Sequence, residues 1–204
     1  MLHTVGMEVK REQPRSVATR EALLGSAQRL FGRRGYANVS IDEIASRASA
    51  TKGAFYHHFR DKRDLFHEVV ERIEEELAQS IRDSISAHSD PISQLVAGCR
   101  VFLDACADPR RAQITLIDAP AVLGWHVRRE IDARHGLGIL ASVLQRGMKA
   151  GRIQRQPVKP LAHLILGAAL EGGMLIAQAR SGRIAEQVRK SLLRMLEQLA
   201  EGSP

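Results

Sequence analysis

A chain of 204 residues with 44% hydrophobic and 26% charged side chains is long enough to bury a substantial core and lies outside the compositional range of disordered proteins. Thirty Lys and Arg against 23 Asp and Glu leave a formal charge of +7, which favours polyanionic partners such as nucleic acid without locating the surface that meets them. No N-terminal stretch joins a basic start, a long apolar run and a small-residue cleavage site, so a secretory signal is not expected and a cytoplasmic location is.

Residues 1–15 are polar, with Lys10, Arg11 and Arg15 around Pro14, and read as a mobile basic arm suited to flanking phosphates or the minor groove. From about Ser16 the apolar positions Leu23, Ala27, Leu30 and Phe31 recur at helical spacing, and Gly35 after Arg33 and Arg34 marks a helix stop. Ser40 then precedes Glu43 by three residues as in a capping box, with Val39 and Ile44 at the two positions of a hydrophobic staple. That second helix runs only to about Ala48, because Thr51 is itself a good N-cap and Ser49-Ala50 leaves room for no more than a tight turn.

After Arg60, Asp61 and Asp64 cap a long helix whose apolar residues Phe66, Val69, Val70, Ile73, Leu77, Ile81 and Ile85 keep helical period for more than five turns. Pro91, Pro109, Pro120, Pro157 and Pro160 punctuate further helical stretches, and no segment alternates with period two. The predicted fold is therefore all-α. An N-terminal three-helix helix-turn-helix domain, 16–62, is joined by the long helix to a larger helical body, 63–204.

The segment Thr51 to Phe59, TKGAFYHHF, carries the function. On a helix, Phe55 and Phe59 fall on one side as anchors, while Lys52, Gly53, Tyr56 and His57 face outward from a helix N-terminus, with Lys62 just beyond. A helix of this width fits the major groove of B-DNA, and Gly53 lets the backbone come close. His57 and His58 are adjacent and point about 100° apart with no third ligand at hand, so no metal site and no cofactor is expected.

The run LFGRRGYANVSIDEIASRA, followed by TKGAFYHHF and DKRDLF, resembles the tetracycline-repressor (TetR) family over roughly Thr19 to Leu77. Ser49 stands where a turn glycine is usual in that pattern, and Ala50 where a larger aliphatic packs. The resemblance implies a ligand-responsive repressor that binds a palindromic DNA operator as a homodimer and is released by a small molecule. It implies that Ser40, Thr51 and Tyr56 contact phosphates, that Lys52, Gly53 and His57 lie near base edges or backbone, and that Lys62 holds a phosphate at the next helix start.

In the larger body, Phe102, Trp125 and His126 are the expected lining of a ligand pocket. Asp118, His126 and His135 match no catalytic or metal spacing, and no enzyme activity is expected. Cys99 and Cys106, seven residues apart on a helix, read as small apolar fillers. The apolar segment Leu161 to Ala177 is interrupted by His163 and Glu171 and reads as a buried helix, not a membrane span. Its small residues and the apolar stripe of the last helix permit either internal packing or dimerisation; with the resemblance, Leu164, Ala168, Gly172, Leu175, Leu192 and Leu196 are the expected dimer contacts.

Overall fold

The computed structural model describes residues 14–179 and 181–201, so the expected basic arm lies outside the described residues except for Pro14 and Arg15, which open the first helix. The described residues contain no strand. Helix α1, Pro14–Arg34, ends where Gly35 takes a φ of +75°, a left-handed stop that favours glycine, with Arg33 and Arg34 at the negative end of the helix dipole. Helix α2, Ile41–Arg47, starts at Ser40, whose hydroxyl accepts from Glu43 N. The Glu43 carboxylate pairs with Arg34 instead of reaching back to the cap. Val39 and Ile44 are both buried, as the staple requires.

Ser49, in the turn to α3, adopts a φ of +52°, the conformation a glycine holds without a Cβ penalty. Ser49→Gly is therefore expected to raise the thermal midpoint, by about 0.5–1 kcal/mol of stability once the extra freedom of the unfolded chain is offset. An unchanged or lower midpoint would show that the serine is not strained.

Helix α3, Lys52–His58, is capped by Thr51, whose hydroxyl accepts from Ala54 N. Helix α4, Lys62–Ser86, is capped by Asp61. Helices α5, Pro91–Cys106, and α6, Pro109–Ala112, each begin with an Asp cap and a proline in the first turn, where a missing N–H costs nothing. Two π-helical turns, Gln113–Asp118 and Ala133–Leu137, flank α7, Ala119–Leu123, and α8, Trp125–Asp132. Helices α9, Gly138–Lys149, α10, Val158–Ala177, and α11, Gly182–Glu201, complete the body.

The N-terminal core gathers Phe31, Phe55, Phe59 and Phe66, all fully buried, with Phe31 and Phe66 meeting edge to face at 5.3 Å. It does not stop at the helix-turn-helix, because Ile73 of α4 and Ile114, Ala119, Leu123 and Ile131 of the larger body belong to the same cluster. In that body α5 is central and packs on α4, α9, α10 and α11. Gly173 is needed there, since a Cβ on it would come within 2.6 Å of Cys106 Sγ. Both cysteines serve packing, and burial pushes the Cys99 and Cys106 thiols up to about 12, which leaves them unreactive.

Helix α10 is long and apolar enough to cross a membrane, yet it packs one face on α5, α9 and α11 through Ala162, Ile165, Ala169, Gly172 and Ile176. Only that face is buried, so the expectation of a buried helix holds for one side: Leu164 is 72% and Leu175 45% exposed on the other. The expected dimer contacts divide accordingly. Gly172, Leu192 and Leu196 are buried inside the protomer, where a Cβ on Gly172 would meet Val188 and where Leu192 and Leu196 fill the core between helices. Ala168 is half-buried against that core, and Leu164 and Leu175 remain on the outer surface.

Candidate nucleic-acid interface and internal cavity

Because α3 has only seven residues, its placement depends on tertiary anchors. Phe55 and Phe59 supply them, with their rings 5.7 Å apart in the core and the Arg20 guanidinium over the Phe59 ring at 5.5 Å. The opposite surface carries Thr51, Lys52, Gly53, Tyr56 and His57, all exposed, and Ser40 is exposed at the start of α2. Tyr56 is 52% exposed although its ring edge rests on Phe55. Among the described residues nothing stands over Gly53 beyond its own cap, since the nearest atom to an added Cβ is Thr51 Oγ1 at 3.8 Å. Lys52 Nζ lies 3.0 Å from Asp42 of α2, and this hydrogen-bonded pairing raises the lysine pKa. An anion that approached Lys52 would have to exchange with that carboxylate.

Lys62 is placed differently from its neighbours. Its ammonium donates to the Tyr36 carbonyl at 3.0 Å and the Val39 carbonyl at 2.9 Å, and it sits 4.1 Å from the centre of the Tyr36 ring. Burial lowers its pKa. Two of its three protons thus hold the segment that leads into α2, and one is left for an outside acceptor.

Sequence reasoning missed how this unit is fixed to the body. Asp118, at the end of the first π-helical turn, accepts from Tyr36 N at 2.8 Å and from Gln113 Nε2 at 3.0 Å. Arg63 of α4 donates to the carbonyls of Val122 and Leu123 at the end of α7. Asp118, His126 and His135 go to separate partners, with His126 beside Glu130 at 3.4 Å and His135 2.6 Å from Glu71. They form no shared site.

Under α4 lies a cavity of about 100 Å³ with a predominantly apolar wall. Leu77, Ile81 and Ile85 line it from α4, and Phe102, Ile165 and Leu196 close it from α5, α10 and α11. Phe102, an expected pocket residue, lines this cavity. Trp125 and His126 are not on this wall, which corrects that expectation. Trp125 is 64% exposed with the Arg129 guanidinium over its ring, because the left-handed Gly124 (φ +87°) turns α8 so that Arg128 and Ile131 face inward instead.

One end of the wall is acidic, formed by Glu74 and Asp132 with His135. Arg128, almost fully buried, donates from Nη2 to Glu74 Oε1 at 2.9 Å. Its Nη1 is 2.8 Å from Asp132 Oδ1 but off the line of an N–H, so that half of the contact is coulombic. Burial pushes the Asp132 carboxyl up to about 6 despite the lowering effect of Arg128. The i,i+4 spacing of Arg128 and Asp132 was visible in the sequence, but Glu74, 54 positions away, was not linked to it.

A short cap-anchored helix presented outward after a tight turn, and a long helix leading from it into an all-helical body, define a helix-turn-helix DNA-binding regulator. The model of the tetR family of bacterial regulatory proteins matches residues 23–69, and that of the tetracyclin repressor-like C-terminal domain matches residues 92–202. The chain belongs to the TetR family of transcriptional regulators. It is 28% identical over 169 residues to the Transposon Tn10 TetC protein of Escherichia coli, covering 79% of this chain and 82% of that one. A TetR-family transcriptional regulator of Pectobacterium atrosepticum is 30% identical, with a TM-score of 0.80 over 95% of this chain and 100% of its own. RolR in complex with resorcinol shares the fold at a TM-score of 0.69 and 19% identity, over 92% of this chain and 95% of that one.

Proposed function

We propose that this chain is a cytoplasmic repressor that binds a palindromic operator as a homodimer and is released when a small molecule fills the cavity under α4. The observation that carries the DNA reading is the row Thr51, Lys52, Gly53, Tyr56 and His57, turned outward from a helix whose other side is locked by Phe55 and Phe59. Thr51, Tyr56 and Ser40 take phosphates, Lys52, Gly53 and His57 meet base edges or backbone, and the remaining Lys62 proton takes a phosphate at the start of α4.

The homodimer reading is supported by the outer faces of α10 and α11, where Leu164 and Leu175 are exposed together with Ile184 and Met195. Two copies joined there place two recognition helices on successive major grooves, about 34 Å apart on B-DNA. Release is supported by α4, which starts in the DNA-reading unit and lines the cavity three turns later. A ligand that favours one tilt of α4 changes the spacing of the two α3 helices, so ligand and DNA oppose each other.

Selection of bound sequences from a random duplex pool, followed by mobility shift on the best site, tests this reading. A palindromic consensus is expected, with Tyr56→Ala weakening binding by about tenfold or more, the loss of a charge-assisted phosphate contact and its packing. Sequence-blind, purely salt-dependent binding with no effect of Tyr56→Ala would overturn it.

A further inference from the structure

We infer that the cavity under α4 takes an amphipathic organic cation, its ammonium seated against the Glu74 and Asp132 carboxylates and its apolar body lying along α4 toward Ile85. This rests on reading the cavity as the effector site. Among the described residues the wall carries the acidic Glu74 and Asp132, with His135 beside them, and no Lys or Arg. The cations nearby stand behind it and are engaged. Arg128 is shared by the two carboxylates, Arg111 donates to the Ile73 carbonyl, and Arg134 pairs with Glu71, which also holds His135.

One guanidinium therefore serves two buried carboxylates. It bonds Glu74 only at Oε1 and approaches Asp132 only at Oδ1, so Glu74 Oε2 and Asp132 Oδ2 have no hydrogen bond among the described residues. An ammonium supplies the missing positive charge and the donors in a low-dielectric setting where both count for more than in water. An anion meets like charge there with no cation on the wall to answer it, and a neutral ligand leaves the imbalance as it was.

Polarity is confined to this end. At the other end Gln94 has both amide atoms committed, Nε2 donating to the His88 carbonyl at 2.7 Å and Oε1 accepting from Arg146 at 2.8 Å. From Glu74 to Ile85 the wall follows α4 for about 16 Å, through Leu77, Ala78 and Ile81. The ligand is thus charged at one end and apolar along its length.

The test is titration calorimetry of the full chain with three ligands of one shape: octylammonium, 1-octanol and octanoate. At about pH 7.5 octylammonium is expected to bind at least about tenfold more tightly than octanol, with octanoate weakest. Glu74→Gln and Asp132→Asn are each expected to reduce the preference for the amine over the alcohol to about threefold or less while octanol binding persists. No variant is needed for the second readout. Lowering the pH to about 5 protonates Asp132, with His135, Glu71, His67, Arg128 and Arg129 as the other titratable and charged groups around it, and weakens octylammonium but not octanol. Equal or tighter binding of octanol or octanoate overturns the cation and leaves the effector cavity standing. Binding by none of the three overturns both. Full preference for the amine in both variants overturns the seat at Glu74 and Asp132.

Discussion

Arg128→Met is expected to destabilise the protein by about 3–5 kcal/mol near neutral pH, the cost of leaving buried carboxylates without their counter-charge. The guanidinium lies within 3 Å of both Glu74 and Asp132, the side chains concerned are at most a tenth exposed, and no Lys or Arg is among the described residues that line the cavity beside them. Methionine keeps most of the volume, so the loss reports charge and hydrogen bonding more than a cavity. The measurement is the urea midpoint at fixed protein concentration, with an unchanged slope showing that the unfolded state is not altered.

The pH dependence follows from Asp132. Its carboxyl stands at about 6 in the folded protein against 3.8 for the ordinary value, so between those values the folded state holds the proton more tightly and stability from this group falls as pH rises. Removing Arg128 raises the folded value further, and the defect of Arg128→Met is therefore smaller near pH 5 than near pH 7.5. In a Glu74→Gln, Asp132→Asn background the same replacement should cost far less, because two neutral amides need no counter-charge. An equal loss in both backgrounds would mean that the arginine acts by packing alone.

Phe55→Ala is expected to abolish specific DNA binding while leaving the cavity and the outer faces of α10 and α11 in place. Its ring is fully buried, and truncating a buried phenylalanine costs about 3–5 kcal/mol. In a helix of seven residues that loss falls on the element proposed to meet DNA, since α3 cannot hold itself together without the core. Operator affinity should fall more than a hundredfold, read by mobility shift, as the fraction of molecules with α3 docked declines. Phe55→Leu, which keeps most of the volume, should retain most of the affinity. Loss of affinity without a shift in the unfolding of the N-terminal unit would instead make Phe55 a DNA contact.

Local signals account for the parts of this protein that were legible from its sequence. The caps at Ser40, Thr51 and Asp61, the staple of Val39 and Ile44, the stop at Gly35 and the prolines in first turns act over at most five residues, between near neighbours in the chain. The two faces of α3 follow from the same short-range periodicity, and for that reason Phe55 and Phe59 inward and Tyr56 and His57 outward were readable. Phe102 lines the cavity from the inner face of a strongly periodic helix.

Contacts between distant segments decided the rest. Lys62 carries an outward-looking pattern but curls onto carbonyls 23 and 26 residues earlier. Trp125, bulky and apolar, stays outside because Gly124 turns α8, and Arg128 takes the inner position beside Glu74. On α10 and α11 the same apolar period serves two surfaces, and only the packing against α5 assigned Gly172, Leu192 and Leu196 to the protomer core while leaving Leu164 and Leu175 outside. Sequence by itself determined where helices start, stop and turn their apolar side, because those are interactions among near neighbours in the chain; tertiary structure decided which apolar and charged groups meet, because loop closure over tens of residues leaves no periodic trace.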